Sequence, residues 1–164
     1  MGLDMYLEIR KQESLGRWDD DFEARKDNFY PEEFKELEAE IAEHNFLSRE
    51  LTVQVGYWRK ANAIHNWFVH NCGDDVDECQ PIYVSVEKAA ELLNLCKQVR
   101  DDHSKAEALL PTRGGFFFGS IGYDEWYFKD IDYTINLLEK VIKFMEAQDN
   151  NINTYYELVY QASW

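Results

Sequence analysis

The chain has 164 residues, 45% hydrophobic, 30% charged and 15% aromatic, a balance that fits one globular domain over 1–164 and excludes a disordered chain. With 17 Lys and Arg against 32 Asp and Glu, the formal charge is -15. Such a field repels nucleic acid and anionic membranes, so neither is expected as a direct partner. No apolar run approaches the roughly 20 residues of a membrane helix, and no basic-then-apolar signal layout opens the chain. Cys72, Cys79 and Cys96 are therefore expected as free thiols in a cytoplasm.

Leu3, Met5, Leu7 and Ile9 alternate with Asp4, Tyr6, Glu8 and Arg10, which predicts a strand with one buried face. Residues 11–28 are polar and broken, carry Asp19, Asp20, Asp21 and Glu23, and read as a mobile acidic insert. Pro31 suits a first helical turn, and Glu32 and Glu33 suit its dipole. Phe34, Leu37 and Ile41 continue at helical spacing to about Phe46. Leu51, Val53 and Val55 give a second strand, punctuated by Gly56, and Ala61, Ile64 and Phe68 form the inner stripe of a helix over 57–69. After an acidic turn, 82–84 reads as a short strand and Ser85 as the N-cap of a helix lined by Val86, Ala89, Leu93 and Cys96. The glycine-bracketed run 114–119, with Phe116, Phe117 and Phe118, reads as a buried strand. Tyr127, Ile131, Ile135, Leu138, Ile142 and Met145 stripe the longest helix, over 123–147, and 154–164 alternates again as a closing strand. The fold class is α+β: a small, mostly antiparallel sheet that includes both terminal strands, with about four helices packed on it.

Four segments are distinctive in combination: 1–7 (MGLDMYL), 57–69 (YWRKANAIHNWFV), 115–127 with its GFFFGS and YDEWY, and the closing 160–164 (YQASW). Together they span nearly the whole chain, which resembles a family of small proteins encoded by bacteriophages and prophages. Residues 19–28 and His70-Asn71-Cys72 depart from that pattern. The resemblance implies a context rather than a mechanism: an accessory protein in the host cytoplasm, with an anti-defence role.

The densest mixture of cationic, amide and aromatic groups is Arg59, Lys60, Asn62, His65, Asn66 and Trp67. On a helix, Arg59, Asn62 and Asn66 share one face, which either binds a phosphate or nucleobase or is an ordinary wet face. Arg113 with Gly114 and Gly115, and Gly119 to Gly122 with Ser120, flank the phenylalanines. They lead into a helix start at Tyr123 and Asp124, which reads either as an anion site or as plain turn chemistry. The ligand-binding candidates are thus Arg59, Asn62, His65, Trp67, Arg113, Ser120, Tyr123 and Asp124. His65, His70, Cys72 and Cys79 lack the short paired spacings of a zinc site, and no nucleophile motif is present, so no metal, cofactor or catalytic residue is expected. Glu33, Glu36, Glu40 and Glu43 form a carboxylate stripe that either mimics a DNA phosphate ladder or is a solvated face.

The sequence leads first to a non-catalytic binder of a small nucleotide-like ligand or host signal. Second stands an acidic DNA-mimic inhibitor of a host DNA-processing or restriction enzyme, and third an enzyme of unrecognised type. The expected partner is a small anionic ligand or a host protein, and the chain is compatible with a homo-oligomer.

Overall fold

The computed structural model describes residues 2–34 and 46–164. Four strands, β1 (Asp4–Gly16), β2 (Phe46–Arg59), β3 (Ile82–Val84) and β4 (Thr154–Ser163), form one antiparallel sheet in the order β2-β1-β4-β3. Register at the β3 edge pairs Ile82 with Tyr160, Tyr83 with Val159 and Val84 with Leu158. The helices are α1 (Phe22–Arg25), α2 (Asn62–Cys72), α3 (Val86–Asp101), α4 (Ala106–Leu109) and α5 (Glu125–Glu146). The α+β architecture with both terminal segments in the sheet is as the alternation at either end implies. No helix among the described residues is long and apolar enough to cross a membrane.

The chain divides into two compact units. The larger comprises Met1–Ile9, Val53–Gln148 and Glu157–Trp164. Its core takes Leu3, Met5 and Leu7 from β1, Ile64 and Phe68 from α2, Leu92 and Cys96 from α3, and Ile131 and Leu138 from α5. The three cysteines are free, and burial pushes the Cys96 thiol up to about 12. Ser85 caps α3 by accepting from Lys88 N at 3.1 Å, as its position before the apolar stripe predicts.

α5 lies against β2 at Gly56, where a Cβ would run into the Leu137 side chain and stand 3.2 Å from Leu7 Cβ. Beside it, Trp58 Nε1 donates to Thr134 Oγ1 at 2.9 Å in the core. Gly56 therefore does not end the strand; it lets a helix approach it, and β2 continues to Arg59. Residues 57–59 are strand rather than helix, because Trp58 buries while Tyr57 and Arg59 face out, a period of two that the following helix masks in sequence.

The 114–119 run is not a strand. Phe118 N bonds Gly115 O in a turn, Gly119 takes φ 84°, and only Phe118 of the three phenylalanines is buried, with Phe116 95% exposed. The glycines that suggested a close-packed strand serve turns instead.

The smaller unit comprises Arg10–Thr52 and Asp149–Tyr156. Expected as an insert without regular structure, 11–16 instead continues β1, followed by a turn and α1. The reason is that polar pairs replace the apolar alternation: Glu13 meets Lys11 at 2.8 Å and Arg49 at 2.7 Å, and Arg49 holds its carboxyl below the usual range. Leu15, Phe22, Phe29 and Leu47 then bury together. Within the acidic cluster, Asp19 is half-buried, accepting from Gly16 N at 2.7 Å and Asn153 Nδ2 at 3.2 Å, so it is a turn residue rather than a free charge. Of the helix expected from Pro31, a 3₁₀ turn at Glu32–Phe34 is described. Glu36, Glu40 and Glu43 of the carboxylate stripe lie outside the described residues.

Gly56→Ala is expected to lower stability by about 1–3 kcal/mol, the usual effect of overpacking a filled site. Denaturant unfolding checks this, and an unchanged midpoint would mean that Leu137 does not rest on β2.

Candidate functional site

The end of β2 and the start of α2 make an abrupt corner. Lys60 adopts φ 62°, its N–H donates to Leu3 O and its carbonyl accepts from Asn62 N, both at 2.8 Å. A left-handed conformation at a residue with a side chain costs roughly 1–2 kcal/mol, so the corner is held by what surrounds it. The Lys60 stem lies over Gly119, where a Cβ would come within 3.1 Å of Lys60 Cβ; only glycine permits that approach at that φ.

Asn62 fastens the corner to the loop before α5. Its Nδ2 donates to Phe118 O at 2.9 Å and Ser120 O at 2.8 Å, while Oδ1 accepts from Arg113 N at 3.0 Å. At 4% exposure the amide is buried and fully engaged in bonds between chain segments, so Asn62 builds the site rather than contacting a ligand.

The corner, the loop and the first turns of α5 enclose a cleft of about 290 Å³. Arg59 and Lys60 line it from the corner, Ser120 and Asp124 from the loop, and Trp126 and Asp130 from α5. Arg59 is exposed, with the Asp4 carboxylate 4.0 Å away; Lys60 has no ion-pair partner among the described residues. Trp126 is 71% exposed, with Lys129 Nζ 4.5 Å from its ring centre. The Asp130 side chain finds no hydrogen-bond or ion-pair partner among the described residues. Burial, with the nearby Asp124 charge, pushes its carboxyl up to about 6.

Of the residues singled out in sequence, Arg59, Asn62, Ser120 and Asp124 meet at this cleft. Asp124 does not leave the helix start open to an anion: its own Oδ1 accepts from Trp126 N at 3.0 Å and Tyr127 N at 3.2 Å. That cap satisfies the amides an anion would use. Ser120 Oγ accepts from Gly122 N at 3.1 Å. Tyr123 packs edge-on against Tyr127 with ring centres 5.0 Å apart, and its hydroxyl accepts from Thr112 N at 3.4 Å. Trp67 is buried against Phe68 and borders a separate cavity of about 230 Å³ with Leu109 and Pro111.

His65 and Arg113 belong to a different network. His65 is 1% exposed; its Nε2 lies 3.2 Å from the Asp77 carboxylate and its Nδ1 2.7 Å from Tyr160 Oη. Since a carboxylate only accepts, Nε2 carries the proton and Nδ1 accepts from the Tyr160 hydroxyl. Asp77 also receives Arg113 Nη1 at 3.4 Å and Trp164 Nε1 at 3.3 Å. The acidic turn is thereby pinned to the sheet and the loop. Burial lowers the His65 pKa, against the opposing pull of Asp77. Among the described residues no group of three or more His, Cys, Asp or Glu is placed to hold a metal ion.

Sequence reasoning passed over Trp126 and Asp130. Their spacing of four along the longest helix places them on one face, the signal that could have found them. The chain matches no known protein family, curated protein or solved structure.

Asn62→Ala removes three buried bonds and is expected to cost about 2–3 kcal/mol, measured by denaturant unfolding. His65 is held neutral by burial, so below its ordinary value of 6.5 the unfolded chain binds the extra proton first. Its contribution to stability is therefore present above 6.5 and lost as pH falls toward the lowered folded value. The stability difference between wild type and His65→Gln should accordingly grow as pH rises from about 5 to 7.

Proposed function

We propose that this chain is a non-catalytic binding protein that captures a small nucleotide-like anion in the cleft at the β2–α2 corner. The observation that carries this reading is the pairing of two cations, Arg59 and Lys60, with an exposed indole, Trp126, around about 290 Å³ of space. That volume lies near the lower end of the roughly 300–1,000 Å³ usual for ligand pockets and suits a mononucleotide. In a chain of formal charge -15, a phosphate has few places to settle. Arg59, with the Asp4 carboxylate 4.0 Å away, supplies charge-assisted donors, and Lys60 adds a second positive charge. The Trp126 face offers a base the stacking that is worth roughly 1–3 kcal/mol in nucleic-acid sites. Support for a binding rather than a catalytic role comes from Ser120 and Asp124, whose side chains are occupied with backbone N–H groups. On the sequence resemblance, the captured molecule is a host nucleotide or nucleotide signal, taken up in the host cytoplasm by a phage or prophage accessory protein with an anti-defence role.

Titration calorimetry with the nucleoside monophosphates tests this. Arg59→Ala is expected to weaken binding about ten- to a hundredfold, the equivalent of one charge-assisted hydrogen bond. Lys60→Gly should also weaken it while leaving stability equal or higher, because glycine relieves the left-handed backbone. Undiminished binding by both variants, or heat of binding from none of the nucleotides, would overturn the reading.

A further inference from the structure

Asp130 has no structural task that explains its position. It sits on the second turn of α5, half-buried, at the wall of a cleft that also holds Arg59 and Lys60. Its backbone carbonyl accepts from Thr134 Oγ1 at 2.6 Å, but its carboxylate meets no donor among the described residues. The charged and titratable groups around the same cleft are Arg59 and Lys60 from the corner, Asp124 from the loop and Tyr127 from α5. Tyr127 is not a donor to it, since its hydroxyl donates to Leu110 O at 2.9 Å. The Asp130 carboxylate is half-buried, so water reaches it only in part, and a donor brought by a ligand would bond it in a partly desolvated place.

We propose that Asp130 is a specificity-determining ligand contact, accepting a hydrogen bond from the exocyclic amine of a nucleobase stacked on Trp126. The inference rests on the nucleotide-binding reading above and narrows its ligand to mononucleotides whose base carries an amino group. Trp126 and Asp130 stand four residues apart on one helical face, so a ring on the indole brings its edge toward the carboxylate. The phosphate end is then left to Arg59 and Lys60 on the other wall.

Proton linkage follows with a definite sign. An amine donor favours the ionised carboxylate, and burial beside Asp124 raises that group to about 6. Binding therefore expels a proton from the fraction of Asp130 still protonated, and affinity rises with pH through that value.

The test compares adenosine 5′-monophosphate with purine riboside 5′-monophosphate, which lacks only the 6-amino group, by calorimetry at several pH values. Wild type should prefer the amino-bearing nucleotide by about ten- to a hundredfold. Asp130→Ala should abolish that preference without loss of stability. Asp130→Asn should remove the steeper rise of affinity with pH that the amino-bearing nucleotide shows over purine riboside 5′-monophosphate, since the 5′-phosphate titrates at about 6 in both. Equal affinities for the two nucleotides in wild type, or a preference that survives Asp130→Ala, would overturn the inference and leave the binding reading standing. Failure of adenosine, cytidine and guanosine monophosphates alike to bind wild type at any pH would overturn both.

Discussion

At the first turn of α2 one buried amide joins two stretches of chain that are distant in sequence, the β2–α2 corner and the loop 113–120. Asn62 holds the carbonyls of Phe118 and Ser120 and the N–H of Arg113, and its own N–H bonds the carbonyl of Lys60. Segment 113–120 contains three glycines, no helix and no strand, so little else in the local backbone fixes its course. A side-chain amide suits this task because it offers two donors and an acceptor in one plane, and burial makes each unmet bond expensive. The loop is thus located by the helix, and the cleft wall made by Ser120 and Asp124 follows from that placement.

The corner depends on a second constraint, the left-handed Lys60. Its strain is sustained by bonds to Leu3 and Asn62 and by the absence of a side chain at Gly119, under its stem. A glycine at position 60 would meet the same turn without strain, so the backbone alone does not call for lysine. The strained lysine and Asp130, whose carboxylate has no hydrogen-bond partner among the described residues, are two local departures from consistency, and both line one cleft. Departures of that kind gather where a structure is shaped for something outside itself.

How much of this was legible in the sequence depends on whether a residue acts within its own element or across elements. The strand at 3–9 and the closing strand were readable because their apolar residues alternate over one buried face, and Ser85 was readable as a cap because capping is local. Arg59 was found as chemistry but expected on a helix and lies on a strand, and Asp124 spends its carboxylate on its own helix. His65 was noticed for its type, yet its partners Asp77 and Tyr160 are twelve and ninety-five positions away, and no spacing rule reaches them. The run 11–16 escaped because Glu13, Lys11 and Arg49 satisfy one another on a strand surface, so charge pairing stands where apolar alternation was sought. Gly56 was read as a stop because glycine usually is one; a helix resting on the strand is visible only in three dimensions.

Two groups of the larger unit, His65 and Asp130, pull stability in opposite directions as pH changes. His65 is kept neutral by burial, so its contribution falls as pH drops below 6.5. Asp130 is raised from 3.8 to about 6, so the folded chain holds its proton longer than the unfolded one, and its contribution falls as pH rises through that interval. Between the two values the slopes oppose, and a shallow profile in wild type would conceal both. The physical origins differ as well. His65 is desolvated but fully bonded, which is the condition of a structural residue in a closed network. Asp130 is partly desolvated and has no hydrogen-bond partner among the described residues, which leaves its carboxylate open to a donor from outside. The same shift away from the charged form thus carries opposite meanings at the two positions, and it is the hydrogen-bond inventory that separates them.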